Sequence, residues 1–113
     1  MTEDQIQISI LAYLRTVLPT AVIWHVPNAP RSAQTGARLK RLGMRAGVPD
    51  LCVLLQGRLY LIEVKRPGQY ASPEQRSFME QARLSGAESA IVRSIEDVAL
   101  ALASWGIVTR AAA

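Results

Sequence analysis

Apolar positions along this chain change their spacing from one segment to the next. Ile6, Ile10, Tyr13, Leu14 and Val17 recur at helical intervals. Thr2 with Gln5 three residues on makes a capping-box pattern ahead of them, and Pro19 ends the helix. Residues 21–26 alternate and include β-branched and aromatic types, which predicts a strand. Two prolines, Asn28 and Ser32 make 27–36 a loop. Residues 37–44 suit two helical turns, with Arg38 and Arg41 on one side and Leu39 and Leu42 toward the core. Gly47-Val48-Pro49 then breaks the chain before a strand over 50–55. Gln56-Gly57-Arg58 turns it, and a second strand returns over 59–65. Arg66-Pro67-Gly68 leaves the sheet. Ser72 caps a helix with Pro73 at its first position and Gln75 completing a capping box, and the helix runs to about Leu84. A short strand over 89–93 precedes Ser94, which caps a last helix over 95–104.

This order, α-β-(α)-β-β-α-β-α, predicts an α/β fold with a small mixed sheet flanked by helices. With 113 residues, one domain is expected, its core at about 2–106 and a tail from 107 to 113, frayed from Thr109. Half the residues are apolar and 19% are charged, which argues against disorder. Cys52 is the only cysteine, so an internal disulfide is impossible. It lies in an apolar run and reads as a buried small residue. No CxxC or Cys/His cluster supports a structural zinc site. The polar, acidic start does not resemble a signal peptide. No apolar run approaches the ~20 residues of a membrane span, so a cytoplasmic setting is expected, with no membrane partner.

Charge sharpens the picture through its position. The net charge is +4, and Arg31, Arg38, Lys40, Arg41 and Arg45 fall within 15 residues. A basic loop and helix of this kind suits phosphate tracking. Tyr70 and Trp24 are candidates for stacking on bases, although Trp24 reads rather as core. Trp105 suits packing or an interface between copies.

Glu63 and Lys65 are two apart, so on a strand they share one face. Charges on an otherwise apolar strand are rare unless paired or functional. Asp50 begins the neighbouring strand, and the hairpin register decides whether it joins them. A Gly57-Arg58 turn sets Asp50 across from Lys65 and diagonal to Glu63. A register shifted by two residues sets Asp50 across from Glu63. Both put the three on one face, whereas a one-residue slip would not. Pairs across a ladder lie ~5 Å apart and diagonal pairs ~7–8 Å, so two carboxylates could share a cation. Oxygen ligands with open positions suit Mg²⁺ or Mn²⁺, and the Val64 backbone carbonyl is a further candidate ligand. Such a metal polarises a phosphoryl oxygen and lowers the pKa of bound water. Lys65 could hold or deprotonate that water, or stabilise charge on phosphorus. A lysine beside the carboxylates and only six aromatics argue against a glycosidase.

Pro49-Asp50 followed by Glu63-Val64-Lys65 resembles the PD-(D/E)xK signature of restriction-endonuclease-like nucleases. His25-Val26-Pro27-Asn28, Leu39-Lys40-Arg41-Leu42-Gly43, Gly47-Val48-Pro49-Asp50-Leu51, Glu63-Val64-Lys65 and Ser72-Pro73-Glu74-Gln75, in that order, resemble the VRR-NUC family across about residues 2–100. The resemblance implies a restriction-endonuclease-like core and a stand-alone nuclease like those of phages and bacteria. It also implies branched or Holliday-junction DNA as substrate in replication, repair or recombination, and a homodimer. By position, Asp50 and Glu63 would bind metal and Lys65 would be catalytic. Gln75 would support the site, and Glu3 would approach as a further metal-ligand candidate. His25, Asn28, Arg31, Arg38, Lys40, Arg41, Arg45 and Arg66 are the expected DNA contacts, although His25 equally suits a rim position beside Ile23. No organic cofactor is expected. The alternative is an inactive DNA-binding or partner-recruiting module on the same fold.

Overall fold

The first, third and last helices find cover against one sheet, and the second does not. A computed structural model describes residues 1–27 and 32–111. The elements are α1 (Glu3–Val17), β1 (Val22–His25), α2 (Ala33–Arg41), β2 (Leu51–Leu55), β3 (Arg58–Val64), α3 (Pro73–Leu84), β4 (Glu88–Val92) and α4 (Ile95–Ser104). The strands lie in chain order, β1-β2-β3-β4. β1 and β2, and β2 and β3, pair antiparallel, while β4 pairs parallel to β3 after the α3 crossover. The result is the expected mixed sheet flanked by helices.

Strand alternation sorts side chains to the two faces. Leu51, Val53, Tyr60, Ile62, Val64 and Val92 point to one face, where Ile6, Ile10, Leu14 and Val17 of α1 and Val98 and Leu102 of α4 close the main core. Burying each such aliphatic side chain contributes about 1.5–3 kcal/mol. Cys52 and Leu61 point the other way, under Phe78 and Ala82 of α3. Cys52 is buried as expected, and burial pushes its thiol pKa up. Both anticipated capping boxes form, Thr2 with Gln5 and Ser72 with Gln75.

Several expectations need correction. The second helix starts at Ala33, capped by Ser32, inside the segment read as loop. None of its residues is buried, and Leu42 is 69% exposed, so this basic helix stands out from the body. Trp24 is not core but 43% exposed. Trp105 packs on Tyr60 with ring centroids 5.0 Å apart. Beyond α4, Ile107 joins the core, and the Arg110 amide donates to the Val17 carbonyl at 2.8 Å, so the end tucks back against α1. Among the described residues no helix is long and apolar enough to cross a membrane.

The hairpin takes the register in which Leu55 faces Arg58 and Leu51 faces Ile62. Its turn is therefore Gln56-Gly57, not Gly57-Arg58. Gln56 has φ +50° and Gly57 +80°. Positive φ at both central positions is what a tight hairpin needs to match strand twist. Glutamine tolerates that region poorly and asparagine better. Gln56→Asn should thus stabilise the protein by about 0.5 kcal/mol, read as a raised denaturation midpoint. A lowered midpoint would contradict this turn.

Candidate active site

Asp50 stands one residue before β2 and Lys65 one residue after β3, at the end of the hairpin away from its turn. The register sets Asp50 level with Glu63, on the face covered by α3. Glu63 is 2% exposed, the one buried charged side chain among the described residues. Its Oε2 lies 3.2 Å from Lys65 Nζ and accepts a 2.8 Å hydrogen bond from Gln75 Nε2. Among the described residues nothing hydrogen-bonds its Oε1.

Gln75 does two things with one side chain. Its Oε1 accepts from the Ser72 amide at 2.8 Å, completing the cap of α3, and this aims Nε2 at Glu63. Asp50 Oδ2 accepts a 2.8 Å hydrogen bond from the Val64 amide, tying the carboxylate to the strand that carries Glu63.

Electrostatics marks the pair as strained while uncompensated. Burial and then the Asp50 charge push the Glu63 carboxyl up to about 7, although Lys65 pulls it down. Burial also raises Asp50, the Val64 amide opposes this, and the Glu3 charge adds to the rise. Desolvation and like-charge proximity are the two causes that hold a carboxyl neutral near pH 7. Glu3 therefore acts on Asp50 through its charge. Among the described residues no group of three His, Cys, Asp or Glu side chains is placed to hold an ion.

His25 reaches the same place from β1. Its Nδ1 lies 2.9 Å from the Asp50 carbonyl oxygen, which also accepts from the Val26 amide at 2.9 Å. Gln7 of α1 places Nε2 3.0 Å from that same ring nitrogen. Nδ1 donates to the carbonyl when it carries the proton and accepts from Gln7 Nε2 when it does not, so the tautomer chooses between the two contacts. Gln7 was missed in the sequence because nothing there says which turn of α1 abuts the end of β1.

A family model for the VRR-NUC domain matches residues 1–96, a span that includes Asp50, Glu63, Lys65 and Gln75. The chain belongs to the VRR-NUC family. These domains fall within the PD-(D/E)xK nuclease superfamily and have a nuclease-type fold. A solved structure described as a VRR_NUC domain protein superposes with a TM-score of 0.74 at 24% identity, covering 93% of this chain and 88% of its own. A second, described as a VRR_NUC domain, gives 0.64 at 23% identity, covering 90% and 94%. These likenesses show the fold. No curated protein matches the chain.

The basic residues of this VRR-NUC domain divide into two kinds. Arg38, Lys40 and Arg41 are exposed on α2, and Arg66 is exposed just beyond β3. Arg45 is engaged on α3, donating to Gln81 at 2.7 Å and lying 5.2 Å from the Phe78 ring centroid. Asn28 and Arg31 lie outside the described residues.

Gly47 is a second feature the sequence understated. Beyond breaking the chain before β2, it has φ +82° and abuts the first turn of α3. An added Cβ would lie 2.8 Å from the Gln75 amide nitrogen and closer still to the Glu74 carbonyl. Gly47→Ala should destabilise the protein by about 2 kcal/mol through strain and overlap. It should also push Gln75 away from Glu63. An unchanged denaturation midpoint would show that this approach is not needed.

Proposed function

We propose that this VRR-NUC domain is a Mg²⁺- or Mn²⁺-dependent endodeoxyribonuclease that hydrolyses phosphodiester bonds in branched or otherwise structured DNA. The observation carrying this reading is Glu63, a carboxylate buried beside Asp50 with one oxygen held by Lys65 and Gln75 and the other unpartnered. A buried unsatisfied oxygen costs free energy, and a divalent cation is the partner that would satisfy it while neutralising the repulsion with Asp50. All-oxygen donors fit Mg²⁺ or Mn²⁺.

Asp50, Glu63 and the Val64 carbonyl would hold the cation. When bound, it supplies a Lewis acid for the phosphoryl oxygen and lowers the pKa of ligated water. Lys65, paired with Glu63 as a cation, positions the attacking water and offsets charge developing on the phosphate. Gln75 fixes Glu63, while the His25 ring and the Val26 amide meet the Asp50 carbonyl. Arg38, Lys40, Arg41 and Arg66 bind the DNA backbone without sequence selectivity. Branched DNA, a homodimer with two active sites, a role in replication, repair or recombination, and action in bacterial or phage-infected cytoplasm rest on the family.

The test is cleavage of single-stranded, duplex, flap and four-way-junction DNA with Mg²⁺, Mn²⁺ or EDTA. Metal-dependent product lost in Asp50→Ala supports the nuclease, and the preferred member names the substrate. DNA binding without product from any member would leave a binding module.

A further inference from the structure

Trp24 is an indole on the sheet face that carries the acidic pair. It lies across from Cys52, and the Val26 amide bonds the Asp50 carbonyl one step further along the same ladder. Trp24, Val26, Cys52 and Asp50 therefore share a face, and Ile23 takes the opposite one, packed on the main core. Cover runs out along β1. Val26 is half-buried near α3, Trp24 is 43% exposed and Val22 is 57% exposed. Leu54, across from Val22, is also exposed. α3 covers Cys52 and Leu61 but leaves this edge open.

An exposed apolar strip beside a polar site marks an interaction surface. Its occupant follows from its surroundings. The chain is basic, and exposed α2 carries Arg38, Lys40 and Arg41, so a polyanion is attracted. Two strand spacings, roughly 10 Å, separate Trp24 from the strand carrying Glu63, which suits a nucleotide flanking the scissile phosphate. Paired bases stay stacked inside a duplex, so the indole can meet only an unpaired one. Aromatic stacking accepts any base, because every base has a π-face.

We propose that Trp24 is a stacking platform for an unpaired base next to the cleaved bond, and so selects DNA bearing a single-stranded flap over fully paired DNA. This inference rests on the nuclease reading for the position of the DNA. Trp24 is a specificity residue, held apart from the chemistry at Asp50, Glu63 and Lys65.

The experiment is fluorescence anisotropy in EDTA with a duplex, the same duplex bearing a single-stranded flap, and that flap with abasic residues. Wild type, Trp24→Ala and Trp24→Phe are compared, with circular dichroism to check the fold. Trp24→Ala should weaken flap binding about tenfold and leave duplex binding unchanged, while Trp24→Phe retains most of the affinity. Abasic flaps should weaken wild type and leave Trp24→Ala unaffected. Equal flap affinity in wild type and Trp24→Ala overturns the proposal, as does equal loss on every DNA. Light scattering in which Trp24→Ala turns a dimer into a monomer would assign the strip to a second copy instead. Metal-dependent cleavage by wild type that ignores Trp24 removes the stack and leaves the nuclease. Trp24-dependent flap binding without any cleavage removes the nuclease and leaves the stack.

Discussion

Asp50→Ala and Lys65→Ala should each slow metal-dependent DNA cleavage by about 10³-fold while the protein stays folded. Activity and stability separate here for a physical reason. Asp50 contributes one of the two charges that crowd the site, and its charge is the second cause of the raised Glu63 pKa, after burial. Removing it relieves Glu63 and leaves the Val64 amide without its carboxylate acceptor. These effects oppose, so stability should change by only about 1 kcal/mol. Lys65→Ala removes the cation 3.2 Å from Glu63. Stranding a buried charge is ordinarily costly, but a carboxyl near pH 7 can take up a proton, which limits the loss to about 1–2 kcal/mol. Single-turnover cleavage and thermal melts on the same preparations check both halves. Full activity in either variant would remove the residue from the reaction.

Folding stability in EDTA should fall as pH rises from about 5 to 8, and divalent cation should restore it. The folded Glu63 carboxyl titrates at about 7, against an ordinary value of 4.5. Between those values the folded state binds more protons than the unfolded chain, so stability is fully present below the lower value. It is lost as pH passes through the upper one. Asp50 is raised as well and adds in the same direction. For Glu63 alone the loss is about 3 kcal/mol. Mg²⁺ at about 100 times its dissociation constant would return about 2.7 kcal/mol, and should do so more at pH 8 than at pH 5.5. Glu63→Gln should flatten the pH dependence and weaken the Mg²⁺ effect. Melts at both pH values, with EDTA and with Mg²⁺, decide it. A flat profile for the wild type would show that the carboxylate is not held neutral.

Much of this was legible because it depends on short-range rules. Period-two and helical spacing separated strands from helices, with ends off by one residue at β1, β2, β3 and β4. Side-chain parity along two strands put Asp50, Glu63 and Lys65 on one face for either even register. What local rules misjudged depended on neighbours distant in sequence. Gln56 occupies a backbone region its type disfavours because pairing Leu51 with Ile62 places Gln56 and Gly57 at the two central positions of the turn. Leu42 and Trp24 carry apolar side chains that ordinarily seek cover. No residue of α2 is buried, and α3 does not cover Trp24 on β1.

The α/β order, the capped helices, the common face of Glu63 and Lys65 and the family follow from the sequence by itself. Each is set by spacing of two to four residues or by ordered motifs, which need no knowledge of distant contacts. The register of the hairpin then brings Asp50 to the face of Glu63 and Lys65. Only the packing of distant segments buries Glu63 under α3, swings Gln75 onto it, and brings Gln7 to the His25 ring and that ring to the Asp50 carbonyl. It also left Trp24 uncovered. Burial and electrostatic coupling arise between segments far apart in the chain, and the free energy of a buried charge depends on everything packed around it.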